Sequence, residues 1–225
     1  MFILERLIDV IAPNECLACS AEGNILCSWC RPEAVSLISS RCYKCCVQTA
    51  DSETCSKCRR HTPLAQVWVS TDYAGIAAQL VRQLKFEHTR QAAEVMAQCL
   101  DEFVPYLPPD TLVVHVPTAN RRVRRRGFDH AALIAHSFAQ QRSLRHSALL
   151  KRLGNSRQVG AKREERRKQL QDAFWVSKDR DLSGTTLVLI DDVLTTSATL
   201  EAAARTLKKA GAKSVCAAVF AQKLI

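Results

Sequence analysis

The sequence is poor in aromatic residues and has no long uninterrupted apolar run. Aromatic side chains make up 6% of its 225 residues, which disfavours a surface that binds bases by stacking. No stretch approaches the roughly 18 apolar residues of a membrane-spanning helix. Residues 1–11 are apolar but include Glu5, Arg6 and Asp9, so an amphipathic helix is expected there instead of a secretory signal. We therefore expect a cytoplasmic protein without a membrane span.

Two further patterns are missing, and the charge balance is one-sided. No helix-turn-helix is recognisable, which disfavours a transcriptional regulator. No compelling general base is present either; His115 and His130 are candidates, although such histidines are more often packed or solvent-facing. The formal net charge of +10, from 32 Lys and Arg against 22 Asp and Glu, favours anionic partners such as phosphates, nucleotides or nucleic acid. Charge alone does not choose among them.

Nine of the 11 cysteines lie between Cys16 and Cys58. Eight of them form Cys-x-x-Cys pairs, each of which can present two thiolates to one tetrahedral metal ion. Four pairs supply the ligands of two Zn(Cys)4 sites, and this regular spacing favours zinc over redox dithiols or an iron–sulfur cluster. The predicted zinc ligands are Cys16, Cys19, Cys27, Cys30, Cys42, Cys45, Cys55 and Cys58.

Each Cys-x-x-Cys pair with its turn is called a knuckle below. The spacing does not determine which two knuckles share a metal ion. Pairing of neighbours gives two successive ribbons, whereas alternate pairing gives a cross-braced unit. Cys46 is either a spare or a substitute ligand, and Cys99 and Cys216 are expected to be packed thiols. A segment this short has little core of its own, so the metal should supply most of its folding free energy.

Strand and helix patterns alternate after the last cysteine pair. Apolar runs at 112–117 and 187–190 are typical of strands buried in a parallel sheet, and helical spacing marks 129–141 among other segments. The alternation predicts an α/β fold with a mostly parallel sheet and helices on both faces. We expect two domains, an N-terminal helix with a double zinc ribbon over residues 1–62 and an α/β domain over 63–225.

A buried strand at 187–190 is followed by two acids and a turn rich in hydroxyls. Ligands of parallel sheets bind at the carboxyl ends of strands. The turn offers backbone N–H groups and the positive end of a helix, which together form a phosphate cradle, while Asp191 and Asp192 suit the hydroxyls of a ribose, directly or through Mg²⁺. The predicted phosphate-binding residues are Thr195, Thr196, Ser197, Ala198 and Thr199.

A second anion site is predicted after the strand at 112–117. Five arginines fall within six residues, 121–126, and guanidinium groups bind phosphates through paired hydrogen bonds. We expect this segment to be a basic loop that binds pyrophosphate; the alternative is a solvated basic face or a nucleic-acid patch. The predicted pyrophosphate-binding residues are Pro117, Thr118, Arg121 and Arg126.

A third basic segment, 154–171, has little apolar content and is expected to be a mobile or partly helical surface segment. The acids and the hydroxyl-rich turn at 191–199 resemble a motif of type I phosphoribosyltransferases, and this resemblance implies that 154–171 is the flexible loop that closes over the cleft and excludes water. Lys162 and Arg163 are the residues of this lid that we expect to balance charge on a departing pyrophosphate.

The acids and the turn resemble the phosphoribosyl pyrophosphate motif of type I phosphoribosyltransferases, two acids, two variable residues and Thr-Thr-Gly-x-Thr, with Ser197 in place of Gly. Most of the chain resembles the ComF family of bacterial competence proteins, a double zinc ribbon joined to a type I phosphoribosyltransferase-like domain. This resemblance rests on the cysteine pairs and on segments at 84–86, 126–130, 158, 166–169, 173–174 and 191–199. Asp129, His130, Gln169 and Ser197 depart from the usual family residues.

The resemblance implies a protein that binds phosphoribosyl pyrophosphate with Mg²⁺ and Zn²⁺ and acts in natural transformation. Asp191 and Asp192 would be the catalytic residues if the ligand is turned over, by electrostatics and positioning instead of a covalent nucleophile. Implied partners are incoming single-stranded DNA and a competence helicase or DNA-processing proteins. The alternative is a non-catalytic protein that handles single-stranded DNA or serves as a scaffold, with the transferase fold as a ligand sensor. The sequence leaves turnover and the acceptor open.

Overall fold

The computed structural model describes residues 13–35, 38–152, 173–177 and 181–223. The expected N-terminal helix at 1–11 and the expected lid at 154–171, with Lys162 and Arg163, lie outside these residues. Within the described ranges, no helix has the length and apolarity needed to cross a lipid bilayer.

A five-stranded parallel sheet forms the centre of the molecule, with strand order β1-β7-β6-β2-β3. A separate antiparallel pair is formed by β4 and β5. The strands are β1 (Val67–Asp72), β2 (Leu112–His115), β3 (Arg145–His146), β4 (Leu150–Arg152), β5 (Phe174–Val176), β6 (Thr186–Leu194) and β7 (Ser214–Gln222).

Seven α-helices connect or precede these strands in the described ranges. The two short ones, α1 (Arg31–Ala34) and α2 (Ser56–Arg59), belong to the cysteine-rich part. The others are α3 (Gly75–Arg82), extended by a π-helical turn at Gln83–Glu87, α4 (Gln91–Phe103), α5 (Asn120–Arg126), α6 (His130–Gln141) and α7 (Ala198–Lys209).

Both faces of the sheet are covered. Because side chains alternate along a strand, Val188 and Ile190 of β6 pack with α3, α4 and α6, whereas Leu187 and Leu189 pack with α7. Phe174 of β5 belongs to the second of these two cores. The expectation of a mostly parallel sheet with flanking helices is confirmed.

Two elements differ in extent from the sequence expectation. Strand β6 continues to Leu194 and pairs with β7 along that length, so Asp191 and Asp192 lie inside the strand instead of after it. The basic segment expected to be a loop is the helix α5, because arginine is a good helix former and no Gly or Pro interrupts it. Gly127, with φ 79°, ends the helix in the left-handed conformation that glycine adopts readily.

Candidate functional site: two cysteine clusters and a polar cavity

Neighbouring cysteine pairs come together in two clusters, which answers the pairing question in favour of successive ribbons. In each cluster the four sulfur atoms lie within 4.8 Å of one another. A tetrahedral Zn²⁺ with Zn–S distances of about 2.3 Å places its sulfurs about 3.8 Å apart. The Cys19 and Cys27 sulfurs are 3.9 Å apart, and those of Cys45 and Cys55 are 3.7 Å apart, so both clusters fit the ion.

The first knuckle of each cluster has the same backbone hydrogen bonds. The amide of Ser20 donates to Cys16 O, and that of Cys46 donates to Cys42 O, both at 2.8 Å. Ser20 and Cys46 have φ values of 58° and 59°. Cys46 therefore occupies the left-handed position that closes the knuckle, and its exposed thiol is not among the four clustered sulfurs.

The electrostatics of the knuckles favours thiolates at the buried positions. Burial raises the pKa of Cys16, but backbone hydrogen bonds from Cys27 and from its own turn outweigh it and lower that pKa to about 6. In the second cluster, similar hydrogen bonds lower the pKa of Cys42 to about 7. Hydrogen bonds with the neighbouring sulfurs raise the pKa of Cys30 to about 12. A metal ion bound by the four sulfurs would stabilise the Cys30 thiolate and so reverse this shift.

A polar cavity of about 440 Å³ opens at the carboxyl end of β6. It contains most of the predicted anion-binding residues. The predicted residues that line it are Pro117, Thr118, Asp191, Asp192, Thr195, Thr196, Ser197 and Thr199. Ala198 begins α7 directly behind this turn.

The two acids of β6 have different surroundings. Asp192 is 4% exposed, forms an ion pair with Lys85, and lies 3.1 Å from His130 Nε2. Burial alone would raise the pKa of Asp192, but His130 and the charge of Lys85 outweigh it and hold that pKa well below its usual range. Asp192 is therefore an ionised carboxylate whose partners, Lys85 and His130, lie on the α3 and α6 side of the sheet.

Asp191 lines the cavity, and one of its oxygens accepts a hydrogen bond from the Asp192 amide at 2.9 Å. Burial and the neighbouring charge of Asp192 raise the pKa of Asp191 well above its usual range. A cation that binds beside such a carboxyl group stabilises its ionised form, because the positive charge offsets the repulsion from the neighbouring carboxylate. Carboxylate oxygens are also the ligands that Mg²⁺ prefers, so Asp191 is the residue that best fits this ion.

His130 is held by contacts on its other ring nitrogen. Its Nδ1 lies 3.1 Å from a guanidinium nitrogen of Arg126 and 3.2 Å from the hydroxyl of Thr118. An arginine can only donate, so Nδ1 accepts and Nε2 carries the proton that faces Asp192. Asp129 caps α6 and accepts hydrogen bonds from the Thr118 amide and hydroxyl, at 2.8 and 2.9 Å.

The arginines of α5 divide between the cavity and the surface. Arg122 lines the cavity, whereas Arg121 is exposed and is not part of the cavity wall as described. Arg126 is buried behind the site, with its guanidinium 5.3 Å from the centre of the Phe86 ring. A helix places residues four apart on one face, which explains why Arg122 and Arg126 share the side of α5 that faces the site, although Arg122 remains exposed at the cavity mouth.

The sequence analysis assigned no role in the cavity to several residues that line it. Lys85 reaches Asp192 from the π-helical turn after α3, and such turns often accompany functional sites. Arg152 enters from β4, and Tyr73 and Lys223 follow the ends of β1 and β7. The candidate base His115 is buried, with its Nδ1 3.0 Å from His146 Nε2, and burial lowers its pKa.

Ser197 has φ 58° and ψ −13° at the start of α7, the left-handed region that favours glycine. Ser197→Gly is therefore expected to be more stable than Ser197→Ala by about 1 kcal/mol, because both variants lose the hydroxyl and only alanine keeps the left-handed strain. Urea unfolding of both variants measures this difference.

The matched control is Lys208 in the last turn of α7, where the alanine variant should be more stable than the glycine variant, as in ordinary helices. The same order at both positions would show that residue 197 is not strained.

The fold and the cavity define a protein with a phosphoribosyltransferase domain, and the family model described as "Phosphoribosyl transferase domain" matches residues 131–225. The DNA utilization protein YhgH of Salmonella typhi is 30% identical over 200 residues, which cover 84% of this chain and 87% of that protein. The competence protein ComFC of Bacillus subtilis is 35% identical over 100 residues, 44% of this chain and 39% of that protein. The chain belongs to the ComF family.

Among solved structures, the glutamine phosphoribosylpyrophosphate amidotransferase from B. subtilis, complexed with ADP and GMP, matches with a TM-score of 0.42 and 14% identity. The match covers 58% of this chain and 26% of that one.

Proposed function

We propose that the cavity binds phosphoribosyl pyrophosphate together with Mg²⁺ and that the protein acts in natural transformation. The observation that carries the proposal is the joint position of Asp191 and the turn at 195–199 in one cavity at the carboxyl end of β6. The family match supports the ligand class, and the names of the relatives YhgH and ComFC support a role in DNA uptake and use.

Each part of the ligand has a matching part of the cavity. The 5′-phosphate binds the backbone N–H groups of the turn at 195–199, at the positive end of α7. The ribose hydroxyls bind Asp191, and Asp192 stays paired with Lys85. The pyrophosphate lies near Thr118, with Arg122 supplying positive charge.

Asp191 would hold Mg²⁺, which neutralises charge on the pyrophosphate when bound. The described residues position the sugar and bind both charged ends, which is the larger part of what a phosphoribosyl transfer requires. Neither candidate histidine is free to act as a general base for an acceptor, since His115 is paired with His146 and His130 with Asp192. Ligand binding therefore ranks above turnover in this proposal.

The role in transformation is tested in the strain that carries this gene. Replacing Asp191 by Asn removes the cation ligand while keeping size and shape. It is expected to reduce the frequency of transformation at least about tenfold, the factor that a loss of about 1.4 kcal/mol in binding produces. Lys209→Gln, which removes a charge at the exposed end of α7 outside the cavity wall as described, is the control; equal transformation by Asp191→Asn and wild type at equal protein levels would contradict the proposal.

A second candidate function is the binding of single-stranded DNA by a non-catalytic scaffold. Exposed arginines on α5 favour it, namely Arg121, Arg124 and Arg125. A DNA interaction through these residues should weaken steeply with salt and should be unaffected by Asp191→Asn. Binding that requires both the cavity and the arginines would join the two candidates into one.

A further inference from the structure

Arg41, which precedes the second cysteine cluster, holds the ends of two strands beside the cavity. One of its guanidinium nitrogens lies 3.0 Å from Gln222 Oε1 and 3.3 Å from Asp72 Oδ1. The residues that follow these two partners, Lys223 and Tyr73, line the cavity. The second cluster is thus fixed to the carboxyl edge of the sheet.

Tyr43 and Lys44, the two residues between Cys42 and Cys45 of the second cluster, contact the buried side chain of Glu201. Lys44 Nζ lies 2.6 Å from Glu201 Oε1, and the Tyr43 hydroxyl donates to the same oxygen at 3.1 Å. Glu201 is on α7 and is 5% exposed. Burial raises the pKa of Glu201, but the hydrogen bond and charge of Lys44 outweigh it and lower that pKa, so the buried group is a carboxylate that depends on its partners.

Glu201 in turn contacts the phosphate-binding turn. The Ser197 hydroxyl donates to Glu201 Oε1 at 3.1 Å, and the guanidinium of Arg205 lies 3.0 Å from Oε2. Ser197 is the residue with the left-handed backbone, and a conformation of this kind persists only where surrounding contacts hold it. One carboxylate therefore joins the metal knuckle to the most strained residue of the turn.

The first cysteine cluster makes different contacts. The Ile25 amide donates to Gln91 Oε1 at 2.7 Å, and Arg31 forms an ion pair with Glu102 at 2.5 Å. Both partners are on α4, which contributes no residue to the cavity wall as described. The first cluster thus contacts a helix that does not line the cavity, whereas the second contacts elements that border the cavity. The two clusters therefore differ in how they can affect the cavity.

We infer that Glu201 is a positioning residue through which the metal-bound second cluster, and not the first, holds the phosphate turn in its binding conformation. Metal held by Cys42 and Cys45 fixes the knuckle between them, and that knuckle carries Tyr43 and Lys44. Without the metal the knuckle loosens, and Glu201 Oε1, the oxygen that accepts from Ser197, loses Lys44 and keeps Arg205 only on Oε2. Ser197 is then held less firmly. The inference rests on the proposed function for the identity of the ligand but not for the coupling itself.

The coupling is tested first on the ligand. Lys44→Met is expected to weaken the binding of phosphoribosyl pyrophosphate with Mg²⁺ about fivefold, the factor that the loss of one ordinary hydrogen bond produces, because the contact acts on the turn only through Glu201. Tyr43→Phe should weaken it in the same direction without any change of charge. Lys57→Met, at an exposed position of α2 in the same ribbon, makes the same charge change and should leave the affinity unaltered.

A second measurement needs no ligand and so separates a failure of the coupling from a failure of the proposed function. Hydrogen exchange at the amides of 195–200 should be about fivefold faster in Lys44→Met than in wild type or Lys57→Met. Among exposed cysteines, Cys45→Ser should accelerate this exchange, whereas Cys19→Ser in the first cluster should not. Equal exchange at the turn in all four variants would overturn the inference, whether or not the wild type binds phosphoribosyl pyrophosphate.

Discussion

Removing zinc with a strong chelator is expected to unfold the cysteine-rich part of the chain and to lower the stability of the remainder. Binding of Zn²⁺ to a four-cysteine site contributes on the order of 10 kcal/mol, which exceeds the net stability of many domains. Ile25, Leu26 and Val35 of this part are packed in the core on the α4 side of the sheet. Unfolding of the ribbon would therefore remove their contacts from that core. Thermal unfolding with and without chelator, followed by circular dichroism, measures the loss.

The metal content provides the control for this prediction. Elemental analysis should give two zinc ions per chain, and Cys19→Ser and Cys45→Ser should each lose one of them. Loss of both ions from either variant would mean that the two clusters are not independent. A protein that keeps its melting temperature after complete removal of zinc would contradict the assignment of a structural metal.

Lys85→Met is expected to lower the free energy of unfolding by about 3 kcal/mol at neutral pH, because it leaves the buried carboxylate of Asp192 without its cationic partner. The pKa of Asp192 is lowered in the folded protein. Its ionised form therefore contributes stability above the ordinary pKa of aspartate, and this contribution is lost as the pH falls through the folded-state pKa. The difference between wild type and Lys85→Met should accordingly shrink in acid. Urea unfolding at neutral and acidic pH measures it.

Two further variants isolate the ion pair. Adding Asp192→Asn to Lys85→Met should restore part of the lost stability, since no unpaired charge remains. Lys209→Met, at the exposed end of α7, should change stability by less than about 0.5 kcal/mol. A Lys85→Met protein as stable as the Lys209→Met control would show that the ion pair contributes little.

The features that could be predicted from the sequence are those with local spacing. The cysteine pairs predicted two metal-binding clusters, because two thiolates on one turn suit a tetrahedral ion. The apolar runs indicated buried strands, and the acids with the hydroxyl-rich turn indicated one wall of the cavity. The boundary proposed at residues 62 and 63 stays a prediction, as do the roles of the individual cavity residues.

The remaining features depend on contacts between distant parts of the chain. Lys85 is one lysine among many in the sequence, and only the π-helical turn after α3 directs it to Asp192. The different environments of Asp191 and Asp192 follow from the alternation of side chains along β6, which became apparent once the strand proved to extend to Leu194. The contact of Lys44 with Glu201 joins two residues 157 positions apart, and no local sequence pattern at either residue predicts the other.

The proposed binding of phosphoribosyl pyrophosphate in the cavity requires a cation at Asp191. Calorimetric titration of this ligand with Mg²⁺ into the wild type and into Asp191→Asn/Asp192→Asn tests it most directly, with circular dichroism to show that both proteins are folded. We expect saturable binding by the wild type that requires Mg²⁺ and is absent from the double variant. No binding heat from the folded wild type at several temperatures, or equal binding by both proteins, would contradict the claim.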